Sequence, residues 1–184
     1  MTGTQPLPLT AIPVSIDNGA DWQEIAGRIS SDAGLPTVVT PELVEGMIGS
    51  AVPLLFAADA AGDMDLLRGT FADQVVAQCQ RNSGTLAGAH PTSAVVHLVG
   101  APMIDGHPAL RVHVAVQVQG AADGESVSSQ FWDLQPGAQV TVGQPTCPNC
   151  GAPIASGALI CGHCGTDVRS VVKMALVVGR LELY

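Results

Sequence analysis

Four cysteines in the last quarter of the chain are the residues whose type and spacing most clearly indicate chemistry. They form two Cys-x-x-Cys pairs, Cys147 with Cys150 and Cys161 with Cys164, and ten residues separate the pairs. Each pair places two sulfurs on one tight turn, and the glycine after its second cysteine lets the backbone reverse and aim N–H groups at sulfur. Four thiolates give zinc a closed tetrahedral shell. We therefore predict one structural zinc ion in a zinc ribbon inserted at residues 145–167.

The same cysteines leave other chemistries open. Tetrahedral iron takes the same ligands, although the inner loop is short and lacks aromatic shielding. His163 could replace one sulfur as a ligand. Disulfides and redox-active pairs are disfavoured, because thiols stay reduced in a cytoplasmic chain and neither pair begins a helix after a strand. A closed shell leaves no position for a reacting water, so a structural role is expected rather than a catalytic one.

The composition restricts the classes of partner. Of 184 residues, 12% are charged and 47% are hydrophobic, whereas about 25% of residues are usually charged. The net charge is −9, and the seven basic residues are scattered. Nucleic acid and anionic membrane surfaces are therefore not expected partners, because both require clustered Lys and Arg. So few charges predict an enclosed apolar cavity, a surface hidden against other subunits, or both.

The sequence carries no evident signal for export or membrane insertion. The longest weakly charged apolar run, residues 51–58, is far shorter than the roughly 20 residues that cross a bilayer. The amino terminus lacks the basic and apolar regions of a signal peptide. We expect a cytoplasmic protein without a transmembrane segment, which reaches the inner membrane only indirectly, through partners.

Ahead of the cysteines, the sequence predicts an extended arm followed by helices. Residues 1–20 carry Pro6, Pro8 and Pro13 among aliphatic residues, which predicts an extended apolar arm that lies on its own domain or grips another subunit. A short helix and a linker are expected at residues 21–40. A helix should then run from Pro41 to residue 61, kinked or divided by Pro53. A further helical stretch is predicted at residues 63–81, with the fifth cysteine, Cys79, packed in the core.

From residue 92 onward, alternation of apolar and polar residues predicts antiparallel strands with one covered face. We predict strands at residues 94–104, 110–119, 126–134 and 171–183, with a bulge at Gly179. A two-residue turn between the first two strands would place His97 and His113 on opposite faces. Helices, a three-strand meander and one last strand make an α+β domain at residues 41–144 and 168–184, and the ribbon is inserted between its two parts.

Helices laid across a curved antiparallel sheet would leave a cone-shaped interior with apolar walls. The valine face of the strand at residues 110–119 should form one wall, with side chains from the helices and the next strand completing it. The residues expected to line this ligand pocket are Val112, Val114, Val116, Phe131, Leu54 and Phe71.

A ribbon inserted before the last strand, after a strand with a Phe-Trp pair, resembles bacterial proteins related to the carboxy-terminal domain of the Tim-forty-four mitochondrial import-motor tether. The matching features are Gly62-Asp63 between helices, Leu67-Arg68 soon after, and the run from Ser129 to Asp133. The resemblance spans residues 41–184. It implies a cystatin-like or nuclear-transport-factor-two-like cone with an apolar pocket and no catalytic residues common to the family. Mitochondrial import does not carry over, since the motor-binding amino-terminal region is lacking.

These observations predict a non-catalytic zinc-binding scaffold or adaptor that joins protein subunits in a homo- or hetero-oligomer. One alternative is a carrier of a lipophilic molecule, a quinone or a lipid, for a membrane-associated redox complex. The other is a cone-fold isomerase or hydrolase, in which Asp59, Asp73 or Asp133 would act as acid or base.

Overall fold

The computed structural model describes residues 10–17, 22, 24, 41–86, 88–104, 106–120, 124–136, 146–154, 160–168 and 176–183. The elements in chain order are β1 (Val14–Asp17), α1 (Pro41–Ala61), a 3-10 helix (Met64–Leu67), α2 (Asp73–Arg81), β2 (Ala89–Gly100), β3 (Met103–Ile104), β4 (His107–Pro108), β5 (Leu110–Gly120), β6 (Gly124–Pro136) and β7 (Leu176–Leu183). The predicted α+β class is confirmed.

A five-stranded mixed sheet with the order β1-β2-β5-β6-β7 forms the body of the protein. The four later strands are antiparallel to their neighbours, as the predicted meander requires. Strand β1 pairs with β2 in parallel, so the second half of the predicted arm lies on its own sheet. Residues 1–9, most of the predicted helix and linker at 21–40, and residues 171–175 of the last predicted strand lie outside the described part of the chain.

Helix α1 is the core helix of the domain. It begins at Pro41 and ends before Gly62, as predicted, and Gly62 adopts a φ of 65°. Its 21 residues and mean hydropathy of 1.4 would by themselves suit a membrane-crossing helix, but 61% of that apolar stretch is buried inside the protein. Burial of this kind is what a helix packed within a folded domain shows.

Pro53 does not divide α1, because a neighbouring segment replaces the hydrogen bond that proline removes. The carbonyl of Gly49 would normally accept from the N–H of residue 53, and proline has none. The N–H of Ile12 donates to that carbonyl over 2.9 Å instead. A Cβ at Gly49 would lie 2.9 Å from the carbonyl oxygen of Ile12. Glycine is therefore required where the chain before β1 crosses the helix.

The second predicted helical stretch is broken, which corrects the expectation of one helix over residues 63–81. Gly69 adopts a φ of 85° between the 3-10 helix and α2, a conformation that no helix continues through. The segment after it joins the sheet edge: Ala72 N–H donates to the Val178 carbonyl over 2.9 Å, and Val178 N–H donates to the Thr70 carbonyl over 2.9 Å.

Strand β5 has the two faces that its alternation predicts. Leu110 and the valines at positions 112, 114, 116 and 118 are buried beneath the helices, and the residues between them, as far as Gln117, are half-buried on the other face. The predicted bulge at Gly179 is confirmed, because Asp133 pairs with Arg180 while Leu134 pairs with Val178. Leu181 beyond the bulge thereby turns inward.

His97 and His113 lie directly opposite each other, which shows that the prediction of opposite faces was wrong. Leu98 pairs with Val112, but Gly100 pairs with Arg111, so Val99 forms a bulge. One extra residue exchanges the two faces of a strand beyond it. The imidazole rings stack with their centroids 5.9 Å apart.

Candidate metal centre

Each Cys-x-x-Cys pair forms a tight turn closed by backbone hydrogen bonds. Gly151 N–H donates to the Cys147 carbonyl over 2.9 Å, and Cys147 N–H donates to the Ala152 carbonyl over 2.9 Å. The turn at Cys161 has the same two bonds, at 2.9 and 2.8 Å. Gly151 and Gly165 both adopt a φ of 71°, which L side chains rarely do. The two glycines therefore have the turn-forming role predicted for them.

The two turns bring all four cysteine sulfurs to within 4.8 Å of one another. The Sγ atoms of Cys147 and Cys164 are 3.6 Å apart, and those of Cys150 and Cys161 are 3.7 Å apart. A tetrahedron with Zn–S bonds of about 2.3 Å has S–S edges of about 3.8 Å, whereas a disulfide bond is about 2.05 Å long. The sulfurs are thus positioned to bind one zinc ion, and His163 is exposed and lies outside the cluster.

The thiols differ in burial and in acidity. Cys147 and Cys161 are buried, whereas Cys150 and Cys164 are exposed. The N–H of Ala152 lowers the pKa of Cys150, but desolvation and hydrogen bonds with the other three thiols raise it to about 12. Hydrogen bonds from the Thr166 hydroxyl, 3.1 Å from the Cys164 sulfur, and then from the Thr166 N–H and Asn149 lower the pKa of Cys164 to about 6. Zinc binding at neutral pH must therefore release the proton of Cys150.

Thr166→Val is expected to weaken zinc affinity at pH 7 by about 10-fold, because it removes the hydroxyl that stabilises the Cys164 thiolate. The pKa of Cys164 then rises, so zinc must displace more protons and the loss grows as the pH falls. Competition with a chromophoric chelator between pH 6 and 8 measures the change. Thr146→Val is the matched control, because Thr146 is exposed in the same ribbon. Equal affinities for the two variants would contradict this role of Thr166.

The residues predicted to line a ligand pocket are separated by the sheet. Leu54, Phe71 and the three valines are buried together in the core. Phe131 lies on the other face, with its ring centroid 4.9 Å from that of His113, and is therefore separated from the other five residues. Strand alternation is the reason, because Trp132 and Gln130 of β6 pair with Val112 and Val114 and occupy the inner face.

A groove of about 330 Å³ lies elsewhere. It is bordered by the second half of α1, by residues 85–89 that follow α2, and by β6. Among the described residues, its lining carries no charged side chain and includes none of those predicted to line a pocket. The residues that line it are Phe56, Thr85, Leu86, Ala89, Val118, Ser126, Val127, Ser128 and Leu183. They come from five separate parts of the sequence, and no local pattern marks them as a group.

Of the three carboxylates considered as acids or bases, two accept hydrogen bonds inside the protein and the third is exposed to solvent. Asp59 is 7% exposed and accepts hydrogen bonds of 2.7 Å from the N–H groups of Gly84 and Leu86. Asp133 is 1% exposed and accepts two bonds of 2.7 Å from Arg111. The side chain of Asp73 is 90% exposed. Cys79 is also structural: burial and then the charge of Asp59 raise the pKa of its thiol.

Sequence reasoning missed a contact between His113 and Ser129, whose Nε2 and Oγ atoms are 2.6 Å apart. The carboxylate of Asp17 contacts His97 instead, at 3.2 Å. Among the described contacts of His113 there is no carboxylate, so the pair lacks the orienting acid of a catalytic triad. The prediction missed this contact because the position of the bulge at Val99 was not foreseen, although Gly100 and Pro102 follow it.

Asp59→Ala is expected to lower the free energy of unfolding by about 2 kcal/mol, because two partly buried amides lose their acceptor. Asp73→Ala is the control, since that carboxylate is solvated, and it should change stability by less than about 0.5 kcal/mol. Urea denaturation followed by circular dichroism measures both. Equal effects would show that Asp59 does not hold the turn at residues 84–86.

Residues 143–168 match a family model described as a zinc-ribbon domain. No curated protein and no solved structure matches the chain. The matched segment contains both cysteine turns and the whole sulfur cluster. The chain therefore carries a zinc-ribbon domain whose four cysteines are positioned to bind one zinc ion.

Proposed function

We propose that the protein is a non-catalytic, zinc-containing scaffold or adaptor subunit of a larger cytoplasmic assembly. In this proposal the α+β body has the cone-like architecture of the Tim-forty-four carboxy-terminal domain family, which it resembles in sequence. The ribbon is a structural insertion, and protein partners contact the body.

The observation that carries the proposal is the outer face of the sheet, meaning the face opposite α1 and α2. Its central residues are half-buried and uncharged apart from histidine, and charged side chains adjoin them: Asp17 contacts His97, Arg111 pairs with Asp133, and Glu182 lies opposite Phe131. The central residues are Ser93, Val95, His97, His113, Ala115, Gln117, Ser129 and Phe131. Val99 and Val127 at its margins are 53% and 56% exposed. A surface whose centre holds an aromatic residue and few charges suits a protein partner.

The metal site and the acidic groups support a non-catalytic role. A four-thiolate shell leaves zinc no open position for substrate or water. Asp59 and Asp133 are engaged by amides and by Arg111, and Asp73 is solvated. An isomerase or hydrolase would instead need a desolvated carboxyl group facing a cavity of substrate size, and the pocket that Asp59 lines measures only about 20 Å³.

The carrier alternative is favoured by one observation, the uncharged groove of about 330 Å³. Ligand pockets usually measure about 300–1,000 Å³, so a lipophilic molecule with one polar group is the class that this groove would take. Such a function is compatible with a scaffold.

Native mass spectrometry of the protein isolated from its own host tests the adaptor proposal. The expected mass is that of the chain, one zinc ion and at least one different protein subunit. Phe131→Arg should remove that subunit, because it places a charge in the centre of the outer face. Glu42→Arg, at an exposed position of α1, should leave it bound. A particle that contains only this chain and zinc would contradict the proposal, and a retained lipophilic mass would establish the carrier.

A further inference from the structure

The register of the five-stranded sheet aligns one residue from each strand in a single row across the outer face. Asp17 of β1 pairs with His97 of β2, and His97 pairs with His113 of β5. The row continues through Phe131 of β6 to Glu182 of β7. Two histidines thus occupy neighbouring positions, with a carboxylate on the β1 side. The side chain of His97 is 44% exposed, so small solutes reach the pair.

Each imidazole ring has one nitrogen engaged by a neighbouring strand. Nδ1 of His97 lies 3.2 Å from the carboxylate of Asp17. Because a carboxylate only accepts, the neutral ring of His97 carries its proton on Nδ1 and keeps a lone pair on Nε2. Nε2 of His113 lies 2.6 Å from Oγ of Ser129. The hydroxyl oxygen can accept from that nitrogen, which leaves the lone pair of His113 on Nδ1.

The two free nitrogens are directed toward the space between β2 and β5. The nitrogens of an imidazole lie on opposite edges of the ring. His97 contacts β1 with Nδ1, so its Nε2 points away from β1, toward the side of β2 on which β5 lies. His113 contacts β6 with Nε2, so its Nδ1 points back toward β2.

The spacing of the rings suits one shared metal ion. Their centroids are 5.9 Å apart. Two imidazoles that bind the same zinc ion through bonds of about 2.0–2.1 Å have centroids about 5–6 Å apart. Water can complete the shell of an ion held by two protein ligands.

The surrounding charges favour a cation at this position. A carboxylate that accepts the other N–H of a ligating histidine fixes the ring and makes it a better ligand. Asp17 has this position behind His97. Arg111 precedes His113 by two residues on the same face, but its charge is balanced by the ion pair with Asp133.

We propose that Nε2 of His97 and Nδ1 of His113 bind one divalent transition-metal ion of the zinc class, at a site separate from the ribbon. Imidazole ligands suit zinc, copper and nickel. Asp17 is a positioning residue. The site goes beyond the adaptor proposal and uses side chains of this chain alone, so either proposal can fail without the other. Two protein ligands hold an ion more weakly than four thiolates, and protein purified without added metal should carry the ribbon ion only.

Calorimetric titration of Zn²⁺ into full-length protein that already holds the ribbon zinc tests this site. A second equivalent should bind. His97→Ala and His113→Ala should each raise its dissociation constant by more than about 10-fold, and Asp17→Asn by about 10-fold. His90→Ala is the matched control, because His90 is an exposed histidine of the same strand, about 20 Å from His97. Absence of a second equivalent, or the same loss from His90→Ala as from His97→Ala, would overturn the proposal.

Nuclear magnetic resonance of the histidine ring nitrogens identifies the ligand atoms in the unmodified protein, so it does not depend on how the variants fold. Added Zn²⁺ should shift Nε2 of His97 and Nδ1 of His113 together, while Nδ1 of His97 keeps its proton. The rings of His90 and His163 should not change. Shifts at His90 or His163 without shifts at the pair would contradict the proposal, since the added ion would then bind elsewhere.

Discussion

Cys161→Ser should abolish stoichiometric zinc binding and unfold the ribbon, while the sheet and α1 stay folded. Cys161 is 2% exposed and lies 3.7 Å from the sulfur of Cys150. A serine hydroxyl stays protonated at neutral pH and cannot replace a thiolate ligand. Zinc supplies most of the folding free energy of small metal-binding domains, about 10–16 kcal/mol in zinc-finger peptides at pH 7. We therefore expect zinc affinity to fall by more than about 1,000-fold.

Elemental analysis after competition with a chelator gives the zinc content, and limited proteolysis reports unfolding within residues 143–168. Cys79→Ser is the control, because Cys79 is buried but lies outside the sulfur cluster. That variant should keep one zinc per chain. A Cys161→Ser protein that retains zinc at the unmodified affinity would show that Cys161 is not a ligand and would make His163 the replacement to examine.

Arg111→Leu should lower the free energy of unfolding by about 3–5 kcal/mol, because it leaves a buried carboxylate without its counter-charge. Asp133 is 1% exposed, and the Nε and Nη2 atoms of Arg111 each donate to it over 2.7 Å. The side chain of Arg111 is 29% exposed. The loss of stability therefore comes from Asp133, because its buried carboxylate cannot recover its hydration in the folded state.

Denaturant midpoints measured by circular dichroism and tryptophan fluorescence test this ion pair. Arg180→Leu is the control, since its contact with Glu182 is 3.2 Å long and the arginine is 58% exposed; a change below about 1 kcal/mol is expected. Adding Asp133→Leu to Arg111→Leu should restore part of the lost stability, because the unpaired charge is then removed. A loss no larger than that of Arg180→Leu would contradict the account.

Local chemistry made the metal site predictable. The turn at Cys147 and its repeat at Cys161 need only nearby backbone and a following glycine, so spacing alone identifies them. The bulge at Gly179 was also predictable, because the apolar phase of one strand changes there. In both cases the residues that decide the structure are close together in sequence.

Features that depend on distant residues were not predictable. The parallel pairing of β1 with β2 and the bond from Ile12 to Gly49 join segments that no local period connects. Gly100 and Pro102 follow Val99 and are compatible with a bulge, but they do not fix the position of the extra residue, which decides that His97 and His113 face the same side. Alternation showed that Phe131 and Trp132 point in opposite directions, but only the burial of Trp132 shows which of them faces the core.

Whether four thiolates enclose one zinc ion can be decided by X-ray absorption at the zinc edge, on protein purified without added metal. Four sulfur atoms at about 2.3 Å and no lighter ligand are expected. A shell containing nitrogen or oxygen at about 2.0–2.1 Å would contradict this expectation, because the site would then hold His163 or an open position for water.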